Sequence, residues 1–280
     1  MTGGSLPGST YAFDIDASRM QTSACPTQLL CYPRNQWPHF MKKFDLASID
    51  TVMVGGLVVS CQPVQDGPLD HDECVVRLAL AAVDGGAVGI RLEGASRVAL
   101  GKSCLNVPVI GIIKRDLADF EVRITPYLRD VDALVDAGAD IVAFDATTRH
   151  RPVPVKKLVD RIHQGGRVAM ADCATLEDAR LAVAYGCDIV GTTLAGYTGG
   201  HVPDQPDFAL LQQFAGLHVR VMAEGRYGDP ASVARAKALG AWAVTVGTSI
   251  TRIEKIVAEY AHALTSVRPM AAPGVGWQSA

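Results

Sequence analysis

The chain has 280 residues, 49% of them hydrophobic, with 26 basic and 29 acidic side chains and a net charge of −3. That balance gives no chain-wide attraction to nucleic acid or to an anionic membrane, so neither is expected as a partner; a local anion pocket needs only a few donors. The seven cysteines are odd in number and contain no C-x-x-C pair, which points to reduced thiols and a cytoplasmic setting.

Residues 1–45 lack hydrophobic periodicity and carry Gly, Pro, Ser and Thr in the manner of an irregular arm. A barrel domain is expected over 46–268, with 269–280 as a tail. From Asp50 onward one pattern recurs eight times: a short apolar run, rich in β-branched residues, then an amphipathic stretch. The apolar runs are 52–62, 87–94, 108–114, 139–147, 167–174, 188–198, 219–227 and 242–251. Helices are expected near 71–84, 96–105, 129–137, 155–164, 175–185, 207–215, 229–239 and 252–265. Continuous rather than alternating apolar runs indicate parallel strands covered on both faces.

Four junctions, DGGAVGIRL, DAGADIVAFD, AYGCDIVGTT and ALGAWAVTVG, place glycine just past a helix, where a left-handed cap costs little. Asp229-Pro230 and the Thr175-to-Asp178 segment read as helix starts. Eight such β-α units imply a single-domain α/β TIM barrel, (β/α)₈, preceded by the arm. A doubly wound open sheet is the structural alternative, but no G-x-G-x-x-G or G-x-x-x-x-G-K-[ST] follows any strand. No apolar run reaches the roughly 18 residues of a membrane-crossing helix.

In a TIM barrel the chemistry sits where the strands end at their C-terminal face. Those ends carry Gln62, Arg91, Lys114, Asp145, Asp172, Thr192, Glu224, Arg226 and Thr248. Lys114 closes an otherwise apolar strand. It is either a snorkelling rim lysine or a desolvated amine with its pKa pulled toward neutrality, suited to proton transfer or to a Schiff base. Asp145 and Glu224 are helix caps or partners of a basic group in the bland view; carboxylates inside a barrel mouth otherwise do chemistry. The loops Gly196–Gly200, Glu224-Gly225-Arg226 and Gly247-Thr248-Ser249 follow the last three strands. Their small residues expose backbone amides near helix starts, an arrangement that binds phosphate, with Arg226 as an added donor. The seven histidines (39, 71, 150, 163, 201, 218 and 262) are scattered and none ends a strand, so no metal is expected. A nucleophilic cysteine lacks a placed base.

At these residues the chain resembles the bacterial N-acylglucosamine-6-phosphate 2-epimerases, also called N-acetylmannosamine-6-phosphate 2-epimerases. The matching segments include LVVSCQ (57–62), GGAVGIR (85–91), PVIGIIKRD (108–116), DIVGTTLAGYT (188–198), AEGRYGDP (223–230) and LGAWAVTVGTSITR (239–252). The resemblance implies reversible epimerisation at C2 of N-acetylmannosamine 6-phosphate to N-acetylglucosamine 6-phosphate in sialic acid and amino-sugar catabolism, with no cofactor. It places catalysis on Lys114 and Glu224, and substrate binding on Gln62, Arg91 and Asp145, with Thr192 at the end of strand six beside them. Phosphate binding falls on Gly196, Gly225, Arg226, Gly247 and Thr248. The chain departs from the family's pattern at Pro63, at Leu92-Glu93 and at Thr248; Glu93 adds negative charge near the mouth.

Two other functions compete. One is an isomerase or lyase of another sugar phosphate on the same barrel, which fold alone does not separate. The other is a non-enzymatic regulator that binds a phosphate ligand, against which the lack of a basic stripe weighs. A homo-oligomer is compatible with the sequence, which fixes no subunit number.

Overall fold

The computed structural model describes residues 42–199 and 202–266. The arm expected over 1–45 lies outside them as far as residue 41, and so does the tail beyond 266. Helix α1 (Leu46–Met53) leads into β1 (Leu57–Cys61), α2 (Asp72–Asp84), β2 (Gly89–Glu93), α3 (Ala95–Cys104) and β3 (Val109–Ile112). Then come α4 (Leu128–Asp136), β4 (Ile141–Asp145), α5 (Val155–Gln164), β5 (Val168–Asp172), α6 (Leu176–Ala184) and β6 (Ile189–Gly191). The last are α7 (Phe208–Ala215), β7 (Arg220–Glu224), α8 (Pro230–Ala238), β8 (Ala243–Val246), α9 (Thr248–Thr251) and α10 (Ile253–Ser266). Each strand pairs in parallel with the next, and β1 pairs with β8, so the eight strands close into the expected barrel.

The two-residue period of a strand connects this core to the site. Val58, Ile110, Ile141, Ala143, Met170, Met222 and Ala243 belong to one buried apolar cluster. Two residues beyond Val58, Ala143, Met170, Met222 and Ala243 stand Ser60, Asp145, Asp172, Glu224 and Thr245, while on β3 Ile112 is still apolar and the polar residue, Lys114, comes one pleat later. The apolar inward position is thus followed, within one or two pleats, by a polar residue at or near the C-terminal end. Burying each isoleucine or methionine of the interior contributes about 1.5–3 kcal/mol, which holds that polar layer in place.

The glycines past α2, α4, α6 and α8 all have positive φ, as the junction template requires (Gly86 +100°, Gly138 +88°, Gly186 +91°, Gly240 +98°). The Asp229 carboxylate accepts from Ser232 N–H at 2.9 Å, and Thr175 and Asp178 form a reciprocal capping box.

Four boundaries differ from expectation. Val52 and Met53 close α1 instead of opening a strand: Asp45 caps that helix, accepting from Ser48 N–H at 2.9 Å, and Gly55 at φ +68° turns the chain before β1. Residues 44 and 45, counted in the arm, belong with the barrel, since Phe44 is buried in its core. The 242–251 run splits into β8 and the single turn of α9 after Gly247. The 188–198 run stops being strand at Gly191. Helix α10 buries none of its residues and presents Ile253, Val257, Tyr260 and Leu264 outward. Among the described residues, no helix is long and apolar enough to cross a membrane.

Candidate active site

The C-terminal strand ends surround a cleft of about 920 Å³ whose walls include Gln62, Lys114, Asp145, Glu224, Gly225, Arg226, Gly247 and Thr248. Eight of the eleven residues expected to have a catalytic or binding role therefore meet at one place. Arg91, Thr192 and Gly196 do not line it.

Lys114 lies two residues beyond β3, in an antiparallel bridge with Ile124. That bridge is pinned from both sides. Thr125 N–H donates to Ile113 O at 2.7 Å, and its hydroxyl donates to Ala143 O at 2.7 Å on β4. Thr125 is a buried β-branched residue at φ +46°, a strained conformation held only because the surroundings fix it. The amine itself opens on the cleft. Burial within the mouth, followed by the charge of Arg91 and then Arg252, lowers its pKa to about 8, against a smaller upward pull from Glu93. Because the residue remains exposed to the cleft, desolvation here comes from the enclosing walls, whereas the two guanidiniums oppose its charge directly.

Glu224 ends β7. Its Oε2 accepts from Arg91 Nη1 at 2.9 Å, while Arg91 also donates to both oxygens of Asp172, at 3.1 and 2.7 Å. Thr193 hydroxyl donates to Asp172 at 2.6 Å. Arg91 is 1% exposed, held by two carboxylates behind the cleft wall. Desolvation raises the Glu224 pKa to about 7; the Arg91 charge opposes this, and Asp172 adds to it. A carboxyl raised toward neutrality thus shares the cleft with an amine lowered toward it, opposite shifts that suit both groups to proton transfer. Thr192 serves the backbone of Glu224: its hydroxyl donates to Glu224 O at 2.8 Å and accepts from Glu224 N–H at 3.0 Å.

Gln62 donates from Nε2 to the Ser60 hydroxyl at 2.7 Å, and its Oε1 is buried without a partner among the described residues. Asp145 is engaged on both oxygens, by Thr147 and by Arg149. Arg226 adopts φ +63°, donates to Ala195 O at 2.5 Å and to Gln205 O at 2.8 Å, and lies over the Tyr197 ring. It straps the β6 loop to the β7 loop, which leaves only part of its fork for an anion. Gly196 makes that closure possible, since a Cβ there would meet Pro203 Cδ at 2.5 Å. Gly200 and His201, in the same loop, lie outside the described residues. Gly247 precedes α9, whose start has no side-chain cap, so the first-turn amides around Thr248 are open to an acceptor. A Cβ at Gly247 would press on Ser60 Cβ at 3.3 Å.

The cleft also contains Arg149, Thr193, Tyr197, Thr245 and Arg252, which were not picked out from the sequence. Thr245 was findable, because it stands two residues beyond the core position Ala243 on β8. Arg252 follows α9 and donates to Gln62 O at 2.9 Å; nothing in the linear pattern signals that approach. Among the described residues, no three His, Cys, Asp or Glu side chains are grouped to hold a metal ion.

Comparison with known proteins adds an independent line. Residues 75–266 match the family model described as "Putative N-acetylmannosamine-6-phosphate epimerase". Relatives from Escherichia fergusonii and Escherichia coli (strain K12 / DH10B) carry the name "Putative N-acetylmannosamine-6-phosphate 2-epimerase". Each is 52% identical over 221 residues, spanning 78% of this chain and 96% of the relative. A solved structure of the N-acetylmannosamine-6-phosphate 2-epimerase from Clostridium perfringens aligns with a TM-score of 0.76 at 38% identity, covering 79% of this chain and 99% of that one.

Proposed function

The chain belongs to the N-acetylmannosamine-6-phosphate epimerase family of isomerases, and on that footing we propose that it interconverts N-acetylmannosamine 6-phosphate and N-acetylglucosamine 6-phosphate by moving the proton at C2. The observation that carries this reading is the pairing of Lys114 and Glu224 on one cleft, each shifted toward neutrality.

The C2 hydrogen becomes acidic only when C1 is a carbonyl, so the ring must first open. Glu224 relays the proton from the C1 hydroxyl to the ring oxygen, the bond from C1 to that oxygen breaks, and an aldehyde forms. The neutral Lys114 amine then takes the C2 proton, and the C–H electron pair moves into an enolate on C1 and C2. Return of a proton to the opposite face restores the aldehyde with inverted configuration, and ring closure reverses the first step. The oxidation state of the sugar is unchanged throughout, so the step draws on no cofactor. Gln62 and the Arg91 charge behind Glu224 position and polarise the sugar. The substrate's phosphate sits on the open amides around Thr248 beside Gly225, with Arg226 fixing the β6 and β7 loops, and orients C2 against the amine. By family resemblance the reaction belongs to sialic acid breakdown in the cytoplasm.

Proton NMR of N-acetylmannosamine 6-phosphate incubated with the protein tests the proposal. The C2 epimer should accumulate to an equilibrium mixture. Conversion to a ketose or to cleavage fragments, with no epimer, would move the chain to the competing isomerase or lyase.

A further inference from the structure

Resting on the epimerase reading, the feature that sets this substrate apart from an ordinary hexose phosphate is the acylamino group on C2. We infer that Arg149 recognises the acyl carbonyl oxygen, and that Asp145, with Thr147, acts as its positioning residue rather than as a direct substrate ligand.

The geometry rests on three side chains at every second position from the last residue of β4, Asp145, onward. Asp145 is 1% exposed and filled: one oxygen accepts from Thr147 N–H at 3.0 Å and from the Thr147 hydroxyl at 2.6 Å, and the other accepts from Arg149 Nη2 at 2.7 Å. Arg149 Nε donates to the Thr147 hydroxyl at 3.0 Å, which closes a ring of hydrogen bonds. The guanidinium is thereby fixed in orientation while its side chain stays 20% exposed on the cleft. Its Nη1 has no partner among the described residues. Arg151, two residues on, is different: its donors go to the carbonyls of Asp145, Thr147 and Val153.

The position suits C2. Ile124 is bridged to Lys114 on one side and accepts from Asp145 N–H at 3.0 Å on the other. Asp145 therefore lies two strand spacings, roughly 10 Å, from the proposed base. In an eight-stranded ring β4 faces β8, so a sugar phosphate anchored at the β7 and β8 loops and crossing to Lys114 turns its C2 substituent toward Arg149. A guanidinium only donates hydrogen bonds, which fits a carbonyl oxygen and disfavours a cationic free amine at C2.

The test is calorimetric titration of the full chain with N-acetylglucosamine 6-phosphate and with glucose 6-phosphate, which has a hydroxyl in place of the acylamino group. Arg149→Gln should weaken binding of the N-acyl ligand about 10- to 100-fold, the worth of one charge-assisted hydrogen bond, and leave glucose 6-phosphate unchanged. Asp145→Asn should shift the same ligand preference in the same direction and add little in the Arg149→Gln background. Equal weakening of both ligands, or of neither, would overturn the inference. If Arg149→Gln fails to fold, Arg149→Lys carries the same comparison. Wild-type turnover of N-acetylmannosamine 6-phosphate is measured alongside: its absence removes the epimerase reading, whereas its presence with unchanged Arg149→Gln binding removes only this inference.

Discussion

Arg91 Nη1 stands 2.9 Å from Glu224 Oε2, and the two side chains are 1% and 13% exposed, so neither can exchange its partner for bulk water. Asp172 holds the same guanidinium by both oxygens, so Arg91 bridges two buried carboxylates.

Removing that cation should therefore be costly. Arg91→Gln leaves buried Asp172 without its counter-charge and Glu224 without its hydrogen-bond partner, and loss of one partner of a buried pair typically destabilises by about 3–5 kcal/mol. Urea unfolding at neutral pH measures it. A loss below about 1 kcal/mol would mean that solvent reaches the pair after all.

The Glu224 shift makes stability depend on pH. Its folded pKa lies above the ordinary value, at about 7 against 4.5, so its contribution is full below pH 4.5 and is lost as pH rises through 7. Glu224→Gln cannot ionise. Relative to this variant, the wild type should lose up to about 3 kcal/mol between pH 4.5 and 8. Thermal melts of both proteins across that range give the difference, and a constant offset would contradict the shift. The same variant should be inactive, more stable than wild type at pH 8, and unable to open the ring.

The pH–rate profile should report Lys114. If the neutral amine is the base, kcat/KM rises with pH through an apparent pKa near 8. Glu93 pulls that pKa upward, and its Oε1 accepts from Lys114 N–H at 3.2 Å. Glu93→Gln should therefore move the rising limb to lower pH. A limb that stays in place, or moves to higher pH, separates it from Lys114.

How far this site was legible follows from the two-residue period. Gln62, Lys114, Asp145 and Glu224 stand on the inward parity of apolar strands, so the run that identifies each strand also aims its last polar residue. Thr192, expected as a substrate contact, has the opposite parity from Gly191 and does not line the cleft; its hydroxyl bonds the Glu224 backbone. Arg149 and Arg252 lie beyond the strand ends, where no periodicity assigns direction. Arg226 was visible as a cation beside two glycine-rich loops, but its bonds to Ala195 and Gln205 depend on where the 196–206 loop returns, which local sequence does not encode. Helix α1 escaped because its apolar residues merge without a polar break into the glycine pair before β1.

Phosphate should dominate recognition. The uncapped start of α9 and the strap formed by Arg226 motivate the expectation. Two charge-assisted hydrogen bonds to phosphate imply a preference on the order of 10²–10⁴ in kcat/KM for N-acetylmannosamine 6-phosphate over the free sugar. Arg226→Ala should raise KM far more than it lowers kcat. Equal kcat/KM for the two sugars would place the anion site elsewhere.

The central claim is that Lys114 moves the C2 proton. Its most direct measurement is NMR of N-acetylmannosamine 6-phosphate turned over in D₂O by wild type, Lys114→Ala and Lys114→Arg. Wild type should place deuterium at C2 of the product. Lys114→Ala should fall on the order of 10²–10⁴ in kcat, the usual worth of a positioned acid or base, with a much smaller change in substrate affinity. Lys114→Arg should not recover the rate, because a guanidinium stays charged and cannot accept the proton. Folded Lys114→Ala that still exchanges and epimerises at the wild-type rate would contradict the account.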